Sequence, residues 1–255
     1  MLLVIDTGNT NTVFAVFSGD KLIGQWRMAT DAKRTSDEYL VWLLQLMNFE
    51  NIQPVGIKFA IMSSVVPQAN FALKTLVKKY FNSELVIVGE SKINIGIEVK
   101  IDRPNDVGSD RLVNAIAAWN KYKTSLIIID FGTATTFDVI DSNSDYIGGI
   151  IAPGVNLSLH ALHKAAAKLP NIAVMRPEKV IGKDTVSAMQ SGIYFGYAGL
   201  IEGIVKRIKL EHNQQMKVIA TGGLAPLFAK ATETIEALEP DLIIDGLRLI
   251  HLRNI

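Results

Sequence analysis

Two segments place an Asp, a Gly and a run of hydroxyl and amide side chains directly after an apolar stretch. They are Asp6-Thr7-Gly8-Asn9-Thr10-Asn11-Thr12-Val13, after Leu3-Val4-Ile5, and Asp130-Phe131-Gly132-Thr133-Ala134-Thr135-Thr136, after Ile127-Ile128-Ile129. Glycine lets backbone come close to an anion, while Asn and Thr add donors, so each segment can form a phosphate-binding turn. A lone Asp-x-Gly is equally a plain tight turn. Here Asp6 matches Asp130, Gly8 matches Gly132 and Thr12 matches Thr136 at one constant spacing close to half the chain, which argues duplication. Two carboxylates facing the same phosphates from opposite sides need a cation such as Mg²⁺ between them.

A second constellation is Pro104-Asn105-Asp106-Val107-Gly108-Ser109-Asp110-Arg111. Ser109 or Asp110 can cap the helix that follows, with Arg111 in a surface ion pair. Alternatively the helix N-terminus holds Asp110 ionised as a general base, and Arg111 offers a planar fork to a substrate carboxylate. Thr221-Gly222-Gly223 is a third candidate. It is either a plain turn or bare backbone against which a nucleobase or ribose can lie. No Walker-type G-x-x-x-x-G-K-[ST] loop and no G-x-G-x-x-G fingerprint occurs, so phosphate handling must use another fold. His160 and His163 lack companion ligands and read as packing or surface residues. Lys164 and Lys168 read as the solvated face of an Ala-rich helix, and Asn156-Leu157-Ser158 matches a glycosylation sequon with no secretory signal before it.

The elements that position these residues follow from periodicity. Each Asp-x-Gly turn joins two strands, and a third strand follows (22–28 and 146–151), giving a three-stranded meander per half. Helical patterns cover 35–47, with Thr35 and Glu38 at capping-box spacing, then 68–80, 109–119, 156–167, 187–211 and 242–252. Strands alternating with helices predict an α/β chain of two halves, 1–123 and 124–255. Each half is a mixed sheet with helices outside, and the cleft between the halves is the natural ligand site.

With 255 residues, 26 Lys+Arg against 25 Asp+Glu and 49% hydrophobic residues, the composition is that of a globular chain, not a disordered or fibrous one. The net charge of +1 and the lack of basic–aromatic clusters predict no nucleic-acid partner. The absence of Cys excludes disulfides, thiol catalysis and thiolate metal sites. No membrane-length apolar run or signal peptide is present, so a cytoplasmic location without membrane contact is expected.

The two Asp-x-Gly segments, Gly108-Ser109-Asp110-Arg111, Gly149-Ile150-Ile151-Ala152-Pro153-Gly154, Thr185-Val186-Ser187-Ala188-Met189-Gln190-Ser191-Gly192 and Thr221-Gly222-Gly223-Leu224 resemble, in order and spacing, the type III pantothenate kinase family. The likeness runs nearly end to end. It implies the duplicated actin-like ATPase (ribonuclease H-like) fold, with a mixed five-stranded-type sheet in each half. It also implies ATP-dependent phosphorylation of pantothenate, the first step towards coenzyme A, with Mg²⁺ and a monovalent cation (K⁺ or NH4⁺). By this resemblance, Asp6 to Val13 and Thr133 bind ATP and Asp130 holds the monovalent cation. Gly108 to Arg111 bind pantothenate, with Asp110 as proton acceptor, and Thr185 reaches substrate across a homodimer interface. One departure stands out: the family often carries a Tyr seven residues before the first Gly of the substrate motif, where this chain has Ile101. Ile packs but offers no hydroxyl, so the expected consequence falls on substrate affinity rather than on chemistry. Rival readings are a kinase for another small hydroxylated acid and a non-catalytic nucleotide-binding regulator.

Overall fold

The computed structural model describes residues 1–90, 93–166 and 169–255. They form two compact units, one of Met1–Ile97, Asp102–Ala117 and Leu242–Ile255, the other of Glu98–Ile101 and Ala118–Asp241.

In the first unit, β1 (Leu2–Thr7), β2 (Asn11–Ser18) and β3 (Lys21–Ala29) form the expected antiparallel meander. Strands β4 (Phe59–Ser64) and β5 (Leu85–Ile87) extend it in parallel, in the order β3-β2-β1-β4-β5. Alternation along β1 sends Leu3 and Ile5 to one face and Leu2 and Val4 to the other, and all four are buried. On the first face, Leu3, Ile5, Phe14 and Val16 pack with α1 (Ser36–Phe49) and α2 (Pro67–Phe81) through Tyr39, Leu43, Leu73 and Val77. Helix α1 starts where the sequence predicts. Thr35 Oγ1 accepts from the Glu38 N–H at 3.3 Å and the Glu38 carboxylate accepts from the Thr35 N–H at 2.7 Å, so two otherwise unmet donors are satisfied. On the second face, Leu2, Val4, Ala15 and Ile61 meet Val113 and Ile116 of α3 (Ser109–Tyr122), and Ile244, Leu247 and Ile250 of α7 (Leu242–Arg253). A division at 123/124 would put α7 with the second half, but its apolar stripe is spent on the first sheet.

The second unit repeats the pattern. Strands β6 (Leu126–Phe131), β7 (Ala134–Ile140) and β8 (Tyr146–Pro153) form the meander. The parallel strands β9 (Lys217–Gly222) and β10 (Ala237–Leu238) complete the order β8-β7-β6-β9-β10. Ile127, Ile129, Phe131 and Phe137 pack against Tyr194, Tyr197, Ile201 and Val205 of the long helix α5 (Thr185–His212), and against Phe228 of the short α6 (Ala225–Phe228). Helix α4 (Val155–Ala165) follows β8. Its expected end at Ala167, and Lys168, lie outside the described residues. No helix among the described residues is long and apolar enough to cross a membrane.

Candidate active site

The first turn joins β1 to β2. Its last paired positions are Thr7 and Thr12, and the Gly8 N–H donates to the Asn11 carbonyl at 3.0 Å. Asn9, Thr10 and Asn11 are exposed, Asp6 and Gly8 are half-buried, and Thr7, Thr12 and Val13 face inward. The Thr7 hydroxyl approaches Met62 Sδ at 3.9 Å, and Thr12 Oγ1 lies 2.9 Å from Thr30 Oγ1. Thr30, just past β3, also donates its hydroxyl to the Gly8 carbonyl at 2.7 Å and its N–H to the Thr10 carbonyl at 2.9 Å. The tip is therefore laced from the side by one threonine that sequence reasoning missed.

The second turn joins β6 to β7 and is one residue tighter. Asp6 stands opposite Val13, but Asp130 stands opposite Thr136. The expected match of Thr12 with Thr136 is therefore corrected by one position: the counterpart of Thr12 is Thr135, and both are fully buried. Gly132 and Thr133 are exposed at the tip, and the Gly132 N–H donates to the Ala134 carbonyl at 3.0 Å. Where the first unit has Thr30, the second has Gly154, following Pro153 of β8. A Cβ there would fall 2.1 Å from the Thr133 carbonyl oxygen and 2.8 Å from that of Gly132, so only glycine allows this approach. Gly222, at the end of β9 with φ +90°, has the same character: a Cβ would meet an Asp130 carboxylate oxygen at 2.7 Å. Gly223 beside it is exposed, with open space where a side chain would stand.

The Gly108-to-Arg111 segment belongs to the first unit and opens α3. The Gly108 carbonyl accepts from the N–H groups of Arg111 (3.1 Å) and Leu112 (3.3 Å), starting the helix. Ser109 reaches across to the end of β4. Its Oγ lies 2.9 Å from Ser63 Oγ, accepts from the Ser64 N–H at 3.3 Å and donates to the Ser64 carbonyl at 3.4 Å. With Ser63 donating, every proton has one acceptor and the Ser109 hydroxyl is fully used. Ser63 is in register with Asp6 on the adjacent β1, so this clasp brings the start of α3 to the strand that carries the first turn.

Asp110 is half-buried, and its Oδ1 accepts from the Arg111 N–H at 2.9 Å. Burial raises its carboxyl above the ordinary value, against the lowering effect of that N–H bond and of the Arg111 charge. A helix N-terminus alone would lower it; here desolvation outweighs the dipole. Thr185 is exposed in the first turn of α5, whose N-cap is Asp184, accepting from the Ser187 N–H at 2.9 Å. His163 Nδ1 is 2.6 Å from the Leu169 carbonyl and His160 is exposed. Among the described residues no three His, Cys, Asp or Glu gather as a metal cluster. A hollow along α1 lined by Asp37, Glu38, Val41, Trp42, Gln45 and Leu46 includes none of the turn or motif residues.

Two α/β units with the same strand order, each carrying an Asp-x-Gly turn between its first two strands, define the duplicated actin-like fold class. A candidate 2-dehydro-3-deoxygalactonokinase from Sinorhizobium meliloti shares the fold at a TM-score of 0.63, with 11% identity over 99% of this chain and 96% of its own. Within that class the sequence is specific. The type III pantothenate kinase family matches residues 2–207. A type III pantothenate kinase of Paramagnetospirillum magneticum is 59% identical over 100% of this chain and 98% of its own length. That of Rhodospirillum rubrum is 58% identical over 100% and 99%. The chain belongs to the type III pantothenate kinase family.

Proposed function

We propose that this chain transfers the γ-phosphoryl group of ATP to the primary hydroxyl of pantothenate, with Asp110 as the base, as a cytoplasmic enzyme opening coenzyme A synthesis. The observation that carries the chemical assignment is Asp110 itself: a half-buried carboxyl with a raised pKa, at a helix start clasped to the strand beside Asp6. An alcohol is far too weak an acid to ionise first. The carboxylate therefore takes the proton late, as the new P–O bond forms and the bond to the ADP oxygen breaks, for about 10²–10⁴-fold in rate. Arg111 clamps the pantothenate carboxylate, and Gly108 presents backbone to the substrate. Ser109 acts as support through its clasp on β4.

Asn9, Thr10, Asn11 and the backbone of the first turn hold ATP phosphates, as does Thr133 in the second, while Gly222 and Gly223 leave room for the nucleoside. Asp6 would suit a Mg²⁺ held mainly by phosphates and water. Asp130 suits a monovalent cation: its carboxylate fills the space a Gly222 side chain would take, at the end of β6 where the second turn begins. Bound there, the cations would neutralise phosphate charge.

A homodimer, with Thr185 completing the partner's substrate site, is supported by α5. Gly192, Gly196, Gly199 and Gly203 fall on one face of this helix, and among the described residues no atom comes within 4 Å of where a Cβ would stand at the first three. Each glycine costs a helix about 1 kcal/mol relative to Ala, which close approach of another backbone would offset.

A coupled assay of ADP release tests the reading. Release that requires pantothenate and rises with K⁺ or NH4⁺ is expected. Release with other hydroxylated acids but not pantothenate would reassign the substrate, and ATP binding with no turnover at any cation condition would favour a regulator. Arg111→Ala should raise the pantothenate KM by roughly 10- to 100-fold, as for a lost charged hydrogen bond, with little change in the ATP KM.

A further inference from the structure

The second turn rests on Gly154, and we infer that Tyr197, on the inner face of α5, is the positioning residue that holds this support and so sets nucleotide affinity. The buried Tyr197 hydroxyl donates to the Pro153 carbonyl at 2.9 Å. Because the phenol has one proton, the Ser158 hydroxyl, 2.5 Å away, donates to the Tyr197 oxygen. Pro153 stands opposite Ala134 in the sheet, and the next residue, Gly154, presses on the carbonyls of Gly132 and Thr133. The same side chain reaches the turn by a second route. Its ring packs 5.9 Å from that of Phe228, which stacks at 5.2 Å and 4° on Phe131, the residue between Asp130 and Gly132. The hydroxyl thus fixes the wall behind the tip, and the ring fixes the strand end that enters it. In the first unit Thr30 does the first of these tasks with its own hydroxyl. In the second the task falls to a residue of α5, far along the chain.

This inference rests on reading the Gly132-Thr133 tip as a phosphate site. Tyr197→Phe keeps the ring and removes only the hydroxyl. It should weaken ATP binding about three- to tenfold, the range of one lost hydrogen bond, and raise the ATP KM in parallel. The pantothenate KM should stay within about twofold, since a general loss of structure would raise both. Ser158→Ala leaves the Tyr197–Pro153 bond in place and should bind ATP within about twofold of the parent. Titration calorimetry with ATP on the purified full chain gives the dissociation constants without turnover. An unchanged ATP Kd in Tyr197→Phe, equal rises in both KM values, or the same weakening in Ser158→Ala would each overturn the assignment. A parent chain that binds ATP but never phosphorylates pantothenate would instead sink the kinase reading and leave the Tyr197 comparison readable.

Discussion

In the first unit the hairpin tip closes over four residues, 8–11, and Thr30 laces it with three hydrogen bonds; in the second it closes over three, 132–134, and leans on Gly154. The strand orders on either side are the same. Divergence after duplication thus left the scaffolds alone and changed how each tip is held, by a hydroxyl in one and by bare backbone contact in the other. The neighbours differ as well. The strand beside the first tip, β4, carries the clasp to Ser109 and hence to the candidate base, whereas the second tip's neighbour is Gly222, against the Asp130 carboxylate. In the proposed reading the base and the carboxylate clamp belong to the first unit, and the nucleoside contacts and the monovalent cation to the second.

The sharpest way to break that contrast is Asp110→Asn, which should cut turnover by about 10²–10⁴-fold while leaving ATP affinity unchanged. A single-turnover assay beside an ATP titration reads both, and loss of binding would move Asp110 out of its role. Next comes Gly154→Ala. The new methyl group has no room, so the second tip must shift. Overpacking of about 1–3 kcal/mol should lower denaturation midpoints and weaken ATP binding, while the pantothenate KM stays near the parent's. Thr30→Ala removes the two hydroxyl bonds and a methyl group but keeps the backbone bond to Thr10, and a loss of about 1–2 kcal/mol in urea unfolding is expected, with a smaller effect on ATP than Gly154→Ala. If Thr30→Ala proved the more damaging for ATP, the two tips would have to exchange ranks.

The subtlest effect concerns pH. Because burial raises the Asp110 pKa, the folded chain binds that proton more tightly than the unfolded chain does. Its contribution to stability is present below the unfolded value and is lost as pH rises through the folded one. Asp110→Asn should therefore melt higher than the parent at neutral pH, and the gap should close as pH falls. The acid limb of kcat/KM should likewise lie above the ordinary carboxylate range. Melting curves and rate profiles across the acid range check both.

Much of this was legible in the residues. β-branched runs ending in Asp-x-Gly gave the paired meanders, and the Thr35–Glu38 spacing marked the start of α1 correctly. The one-residue difference between the tips was hidden because the run Thr133-Ala134-Thr135-Thr136 offers two threonines as the match for Thr12; only hydrogen-bond register separates them. Strands β5 and β10 have three and two residues, too few to show a period. Thr30 went unnoticed, and Gly154 appeared only within the Gly149–Gly154 motif, because the two share no chemistry. Their equivalence is one of position, each following the strand that flanks the tip. Tyr197 and Ser63 gave no signal at all, since each acts through a neighbour brought close by folding.

The placement of α7 bears on how the molecule comes into being. A ribosome delivers the whole second sheet before it delivers the helix that covers Leu2, Val4 and Ile61 of the first. Until Ile244, Leu247 and Ile250 emerge, that side of the earliest-made strands has only Val113 and Ile116 of α3 to cover it and stays partly open to water. The part of the protein translated first is therefore among the last to be finished.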